Sequence, residues 1–437
     1  MSKQVSGFSK LTKQQKIEWL LEHYFNNDDT FQGILESYWN TNKKLQQLHD
    51  EFIENTISNF YLPFGVAPNF LINGHDMTIP MVIEESSVVA AASNAAKFWQ
   101  DRGGFSARVI STLKNGQVHF NYTGDPSYLN AFFEWVKPKL LASVSDLSRN
   151  MEKRGGGIKS IELIDKTNQL EGYYQLHCTF ETVDAMGANF INSCLEQFAI
   201  TFEEEATQFE MFSNTEKQIE IVMSILSNFV PECLVRAEVS CKVEALTTPE
   251  MDGELFAEKF VRAIDIAKIE PRRAVTHNKG IMNGIDAVIL ATGNDFRAVE
   301  AGIHAYAAHN GSYTSLTDAK VEGGNFYFWI EIPLAVGTVG GLTSLHPLVK
   351  VALAMLQSPS AKELMQIIAV AGLAQNFAAV KSLITTGIQQ GHMKMHLMNI
   401  LNQLLASAEE KEKAIEHFKT HQVTHNAAVT FIESLRK

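Results

Sequence analysis

Apolar positions along this chain follow two rhythms, and the change between them divides it. Near the start, Ile17, Leu20, Leu21 and Tyr24 recur at helical spacing behind Thr12-Lys-Gln-Gln15, a capping-box pattern. Residues 31–62 continue as amphipathic helix, ending near Pro63-Phe-Gly65. Residues 78–83 read as a strand leading into Glu84-Glu85, and a helix rich in small residues follows over 86–97, closed by Gly103-Gly104. From about 106 to 245 strands set the pattern. Residues 108–113 and 117–122 flank Asn115-Gly116, a type I′ hairpin signal. A helix over about 127–149 is broken or kinked near Pro138, and Gly155-Gly-Gly157 leads into strands at 158–165 and 171–182. Asp184 caps a helix with Met186, Phe190, Ile191, Cys194, Leu195 and Phe198 on one face, and 235–243 makes a last strand. Counted from residue 117, the order β-α-β-β-α-β predicts a ferredoxin-like split unit inserted into a larger domain.

The larger domain resumes over 250–370. Ala287 to Leu290 is an apolar run ending at Thr292-Gly-Asn-Asp295, a strand-to-helix turn signal that sets Asp295 at a helix N-terminus. Residues 325–332 form a strand that Pro333 ends, and 347–356 and 360–370 read as apolar helices. After Gly372-Leu-Ala-Gln375 the chain turns helix-rich and polar, with Gly387 and Gly391 consistent with a hinge. The class is α+β.

Bulk composition narrows the function. At 437 residues the chain is long enough for two or three domains with cores of their own. A net charge of −12 argues against a nucleic-acid binder and against a polybasic membrane anchor. No stretch reads as a membrane span, and Met1-Ser-Lys-Gln-Val-Ser lacks the apolar core of a secretory signal. Cys178, Cys194, Cys233 and Cys241 show no C-x-x-C spacing, which reads as buried free thiols in a reducing cytosol. The expectation is a soluble cytoplasmic protein.

Several residues could carry chemistry. Lys279 lies among small and polar neighbours. With Asp295 beside it, it is either a cation able to hold a developing oxyanion or half of a structural ion pair. Glu85 sits where strand meets helix: its apolar surroundings push its pKa up, toward a general acid, and the helix N-terminus favours the anion. His392 and His396, and separately His417, His421 and His425, recur every four residues. The first pair lacks the Glu of H-E-x-x-H, the second set lies in a polar tail, and neither reads as a metal site. Asp184-Ala-Met-Gly-Ala-Asn189 offers a helix N-terminus with Gly187, suited to a pyrophosphate or simply a capped helix. No G-x-G-x-x-G follows a strand, and no G-x-S-x-G elbow is present.

Asn278-Lys-Gly-Ile-Met-Asn-Gly-Ile-Asp286, Gly293-Asn-Asp-Phe-Arg-Ala298, Pro80-Met-Val-Ile-Glu-Glu-Ser-Ser87, Asp184-Ala-Met-Gly-Ala-Asn189, Gly337-Thr-Val-Gly-Gly341 and Gly387-Ile-Gln-Gln-Gly-His-Met393 together resemble class II (bacterial-type) 3-hydroxy-3-methylglutaryl-coenzyme A (HMG-CoA) reductase across nearly the whole chain. The resemblance implies two-step reduction of HMG-CoA to mevalonate and free CoA in the mevalonate pathway, or the reverse, with NADPH or NADH and no metal. It implies Lys279 as oxyanion holder tuned by Asp295, Glu85 as proton donor to the aldehyde oxygen, and His392 as the acid for the departing thiolate. Arg273 would take the substrate carboxylate, Ser87 and Asn283 would touch substrate, and Lys10 is a candidate CoA-phosphate contact. The cofactor would meet Asp184, Met186, Gly187 and Asn189 without a Rossmann fold. Ser148 stands where an acid would favour NADH, and with Arg149, Lys153 and Arg154 nearby NADPH is at least as well served. The implied layout is a large domain (1–107 and 221–375), a small cofactor domain (108–220) and a C-terminal helical flap (376–437), in a homodimer with its active site at the subunit interface. An inactive ligand-binding homologue and another CoA-thioester enzyme are the alternatives.

Overall fold

The computed structural model describes residues 3–385, 397–398, 400–418, 420–421 and 423–436. It forms two compact units, Met1–Pro63 and Phe64–Lys437. In the first, α1 (Lys13–Tyr24) starts at the expected capping box, with Thr12 and Gln15 each accepting the other's backbone N–H. The long helix expected over 31–62 is instead two short ones, α2 (Asp29–Ser37) and α3 (Lys43–Asp50). Asn42 makes the break, because its side chain accepts from the N–H groups of Lys44 and Leu45 and so begins a new helix.

The second unit opens with the antiparallel pair β1 (Phe64–Ile72) and β2 (His75–Val82), of which the sequence pattern predicts only the second strand. Their turn is Asn73-Gly74, both at positive φ (49° and 82°), so the Asn-Gly hairpin of this chain lies here. The hairpin expected at Asn115-Gly116 does not form. After α4 (Val88–Gln100), β3 (Ser106–Val109) and β4 (Lys114–Asn121) enter different sheets, and Asn115 and Gly116 lie inside β4. Gly116 serves packing there: a Cβ would stand 2.6 Å from Leu195 Cδ1.

Residues after β4 run as α5 (Pro126–Ser143), α6 (Ser145–Glu152), β5 (Gly157–Asp165), β6 (Tyr173–Glu181), α7 (Ala188–Ala206) and β7 (Glu220–Leu226). Pro138 stays inside α5, and the break falls at Val144. The four strands form one antiparallel sheet in the order β5-β6-β4-β7, over an apolar core that includes Phe120, Phe132, Phe180, Phe198 and Phe202. Its last strand is β7, which the sequence hid because most of its residues are exposed or half-exposed. The strand expected at 235–243 is β8 (Leu234–Lys242), and it belongs to the other sheet, β3-β8-β10-β9.

That sheet is completed, after α8 (Gly253–Ile269), α9 (Pro271–Ala291) and α10 (Phe296–Ala307), by β9 (Thr317–Glu322) and β10 (Asn325–Pro333). Short α11 (Leu342–Leu345) and α12 (Pro347–Met355) lead into α13 (Ala361–Ile384), which runs unbroken through Gly372 and past the domain boundary expected at 375. Among the described helices α13 alone is long and apolar enough to cross a membrane, and most of it lies in the main core. Glycines let α9 and α13 close up: a Cβ on Gly284 would lie 2.5 Å from Ala371 O, and one on Gly372 2.8 Å from Ile285 Cγ1. At the C-terminal end, α14 (Ala408–His417) and α15 (His425–Leu435) share a small core of their own with Leu397, Ile400 and Leu401.

Candidate active site

The apolar run 287–290, expected as a strand, is the final turn of α9. A run buried on nearly every side looks alike in a strand and in a core helix, and Ile281, Ile285, Ala287, Val288 and Ile289 are all fully buried. One stripe of α9 stays open at helical spacing: Lys279, Asn283, Asp286 and Leu290. On that stripe Lys279 Nζ meets Glu85 Oε2 at 2.8 Å, and Asn283 Nδ2 reaches the same oxygen at 3.4 Å. Of the adjacent glutamates it is therefore Glu85 that faces the lysine. Glu85 sits in the bend between β2 and α4, held next to Ser87, whose φ of 75° is unusual for a residue with a Cβ.

The lysine was expected beside Asp295, and within one chain each is paired elsewhere. The Lys279 side chain is 61% exposed and that of Glu85 37%. Asp295 caps α10, accepting from the N–H groups of Arg297 and Ala298, and takes a two-pronged bond from the Arg297 guanidinium at 3.0 and 2.9 Å. Burial raises the Asp295 carboxyl, but the bonds from Arg297 and Ala298 outweigh it and leave the group below its ordinary value. About 18 Å of helix lies between Lys279 and the end of α9.

Arg273 stands one turn into α9, its backbone N–H capped by Glu270 at 2.7 Å, and its half-buried guanidinium has no carboxylate partner among the described residues. Beneath the open stripe, His277 is locked in a buried network with Thr317 (2.7 Å) and Asn376 (3.4 Å). Burial, aided by Arg273, pushes His277 down to about 3 and keeps it neutral. Asp286, facing Glu300 on α10, is pushed up to about 8 by burial and by that neighbouring carboxylate. Lys10 ends a short 3-10 turn of the N-terminal unit with its side chain exposed. His392 lies outside the described residues.

A second cluster forms around the turn from β6 into α7. Asp184 does not cap α7; its Oδ1 accepts from Ala361 N at 2.8 Å, at the start of α13. The residue preceding α7 is Gly187 at φ 91°, where a Cβ would collide with Thr182 Cγ2. The amide groups of the first turn of α7, with half-buried Met186 before them and exposed Asn189 among them, have no capping side chain. The turn is clamped from several sides. Thr338 N donates to Asp184 O at 2.8 Å, Gly337 packs so closely that a Cβ would collide with Met186 N, and Gly337 N donates to Asn294 Oδ1 at 2.8 Å. Three separate sequence motifs, at 184–189, 293–298 and 337–341, thus meet in one place.

Sequence reading missed Lys114, buried at the start of β4, whose Nζ bonds Thr182 Oγ1 (2.5 Å) and Ala185 O (2.8 Å) inside this turn. Nothing in the polar stretch Lys114-Asn-Gly-Gln117 signals its burial. Ser148, expected to face the cofactor, is 2% exposed and its hydroxyl is bonded to Glu152 Oε1 at 2.6 Å, so it cannot reach a ligand as it stands. Arg149 is exposed and paired with Asp146.

Two separate clusters thus stand out: Lys279, Glu85 and Asn283 in one, and the uncapped amino end of α7 with the Asn294–Gly337 contact in the other. The fold is that of class II reductases: a Streptococcus pneumoniae class II 3-hydroxy-3-methylglutaryl-CoA reductase structure bound to NADPH matches with a TM-score of 0.71 and 34% identity, over 95% of this chain and 100% of that one. The hydroxymethylglutaryl-coenzyme A reductase family model matches residues 14–397. An Archaeoglobus fulgidus 3-hydroxy-3-methylglutaryl-coenzyme A reductase is 38% identical over 95% of this chain and 91% of its own length. A probable reductase of the same name from Borreliella burgdorferi is 34% identical over 92% and 87%. The chain belongs to the hydroxymethylglutaryl-coenzyme A reductase family.

Proposed function

We propose that this protein reduces the thioester of HMG-CoA to the primary alcohol of mevalonate, releasing CoA, with NADPH or NADH as reductant. The observation that carries the reading is the Lys279–Glu85 pair, 2.8 Å apart on an open helix face with Asn283 alongside. An ammonium held by a carboxylate is suited to stabilising the oxygen of a thioester as negative charge develops on it. Collapse of the resulting hemithioacetal expels CoA thiolate, for which His392 is the proposed acid. Glu85 then protonates the aldehyde oxygen as the alcohol forms, with Lys279 again holding that oxygen. Arg273, free of any carboxylate partner among the described residues, is the proposed clamp for the substrate's own carboxylate, with Ser87 and Asn283 positioning the rest and Lys10 meeting a CoA phosphate.

The uncapped α7 terminus and the glycine at 187 fit a dinucleotide, since free amides at a helix N-terminus favour a pyrophosphate and a missing Cβ permits close approach. When bound there the nicotinamide cofactor supplies the two hydrides. Met186, Gly187, Ala188 and Asn189 would hold it, with Asp184 fixing the turn from behind. The β4-to-β7 segment is read as a ferredoxin-like cofactor domain, and residues 376–437 as a helical flap. With Ser148 taken up by Glu152, the choice between the two cofactors falls to exposed cations such as Arg149.

The active protein is proposed to be a homodimer. Asp295 sits with the cofactor half-site, about 18 Å of helix from Lys279, so the carboxylate that completes the Lys279 site is Asp295 of the partner subunit. The four free cysteines suit a reducing cytoplasm. Purified protein mixed with HMG-CoA and either NADPH or NADH, followed by nicotinamide absorbance and thiol release, tests the activity. Two cofactors oxidised per CoA thiol freed is the expected result, and no oxidation with either cofactor overturns the reading.

A further inference from the structure

We infer that Lys114 is a positioning residue for the cofactor: its ammonium holds the turn at 182–185 in the conformation that leaves the amino end of α7 open. The inference rests on the reading of that terminus as the dinucleotide site.

Lys114 is 5% exposed, and both of its hydrogen bonds go to neutral oxygens of this one turn, Thr182 Oγ1 at 2.5 Å and Ala185 O at 2.8 Å. No carboxylate lies within ion-pair distance of it among the described residues. A buried ammonium without a close counter-ion is a poor way to stabilise a fold, since apolar residues would fill the place better. On one side a small, partly open and mostly apolar cavity lies against it, lined by Met186, Ile191, Leu226, Val230 and Val299. What the ammonium does is local. The turn contains Val183 at φ 53°, a conformation a β-branched residue rarely adopts. It is held there by Glu181, whose carboxylate accepts from Val183 N at 2.8 Å and from the Thr112 hydroxyl. Lys114 ties the next step, because Ala185 O accepts from both Lys114 Nζ and Thr182 Oγ1 (2.7 Å). Release of Ala185 would let Met186 and Gly187 rotate, and the amides that follow would lose their common direction.

Charge adds a second handle. Burial lowers the Lys114 pKa, and Cys233, Glu181 on β6 and Asp184 in the turn oppose that shift. The Cys233 thiol is itself pushed up to about 11 by burial, so near neutrality it carries no charge and the two carboxylates are what face the ammonium. As pH rises Lys114 gives up its proton earlier than an exposed lysine, and the clamp weakens.

The test is a fluorescence titration of the full-length protein with NADPH and NADH, alongside a separate titration with HMG-CoA. In Lys114→Met the cofactor Kd is expected to rise about tenfold or more, with HMG-CoA affinity within about twofold of wild type. Lys114→Arg, which keeps charge and donors, is expected to recover most of the loss and to move the alkaline fall in cofactor affinity to higher pH. Should Lys114→Met not fold, the wild-type pH profile decides: cofactor affinity falling toward alkaline pH supports the inference, and affinity flat up to unfolding overturns it. A Lys114→Met protein that binds cofactor as wild type does overturns this inference alone. A wild type that binds neither nicotinamide cofactor overturns the functional reading and this inference with it.

Discussion

Replacing Lys279 by alanine separates a catalytic lysine from a structural one. The side chain is 61% exposed, and its one ion pair among the described residues is with a partner that is 37% exposed. Pairs this open contribute about 0.2–1 kcal/mol, and alanine returns a few tenths of that through its better helix propensity. The net change in stability is therefore below about 1 kcal/mol, a shift in Tm of about 2 °C or less for a unit of this size. Loss of a group that stabilises an oxyanion, by contrast, costs about two to three orders of magnitude in turnover. The assay is HMG-CoA-dependent oxidation of NADPH at saturating substrate, run beside thermal unfolding on the same preparation. Turnover within threefold of wild type refutes the catalytic role. A fall in Tm of more than about 5 °C refutes the reasoning from the other side, by showing that the pair holds the fold.

Other consequences follow from the same geometry. Gly187→Ala must push Thr182 aside at a φ of 91°, and an increase of about tenfold or more in the KM for NADPH, with HMG-CoA affinity retained, is expected in steady-state kinetics. Gly284→Ala puts a methyl group 2.5 Å from Ala371 O, and overpacking of about 1–3 kcal/mol should lower the Tm even though alanine favours helix. Asp286 is pushed up to about 8 in the folded protein, chiefly by burial and then by Glu300, from an ordinary value of 3.8. The folded state therefore binds this proton more tightly than the unfolded one. Its stabilisation is complete below about pH 4 and is lost progressively as pH rises to about 8. Asp286→Asn should flatten the decline in Tm between about pH 4 and 8, as read by scanning calorimetry.

Much of this was readable from residues, and the misreadings share a cause. Local signals survived where local chemistry decides: the Thr12 capping box, the strands at 158–165 and 171–182, and the glycine at 187 are where the pattern put them. Long-range packing overrode them elsewhere. Asn115-Gly116 carries a hairpin signal, yet Gly116 is there to admit Leu195, and the turn that needs positive φ twice is Asn73-Gly74. The run at 287–290 resembles a strand because α9 is buried on both sides by α13 and neighbouring elements, which no period in the sequence announces. Asp184 looks like a helix cap, and it is one link in a junction with residues more than a hundred positions away. Lys279 and Asp295 fall close together in the sequence, and the straight helix between them is what separates them within one chain.

That separation is where the account is most exposed. Co-expression of Lys279→Ala and Asp295→Ala chains, with Lys279→Ala and Glu85→Ala chains as the control, measures which residues share a subunit. If each site joins Lys279 and Glu85 of one subunit to Asp295 of the other, the first mixture regains about a quarter of wild-type activity and the control regains none. A first mixture as inactive as its parents, or a control that recovers, would contradict it.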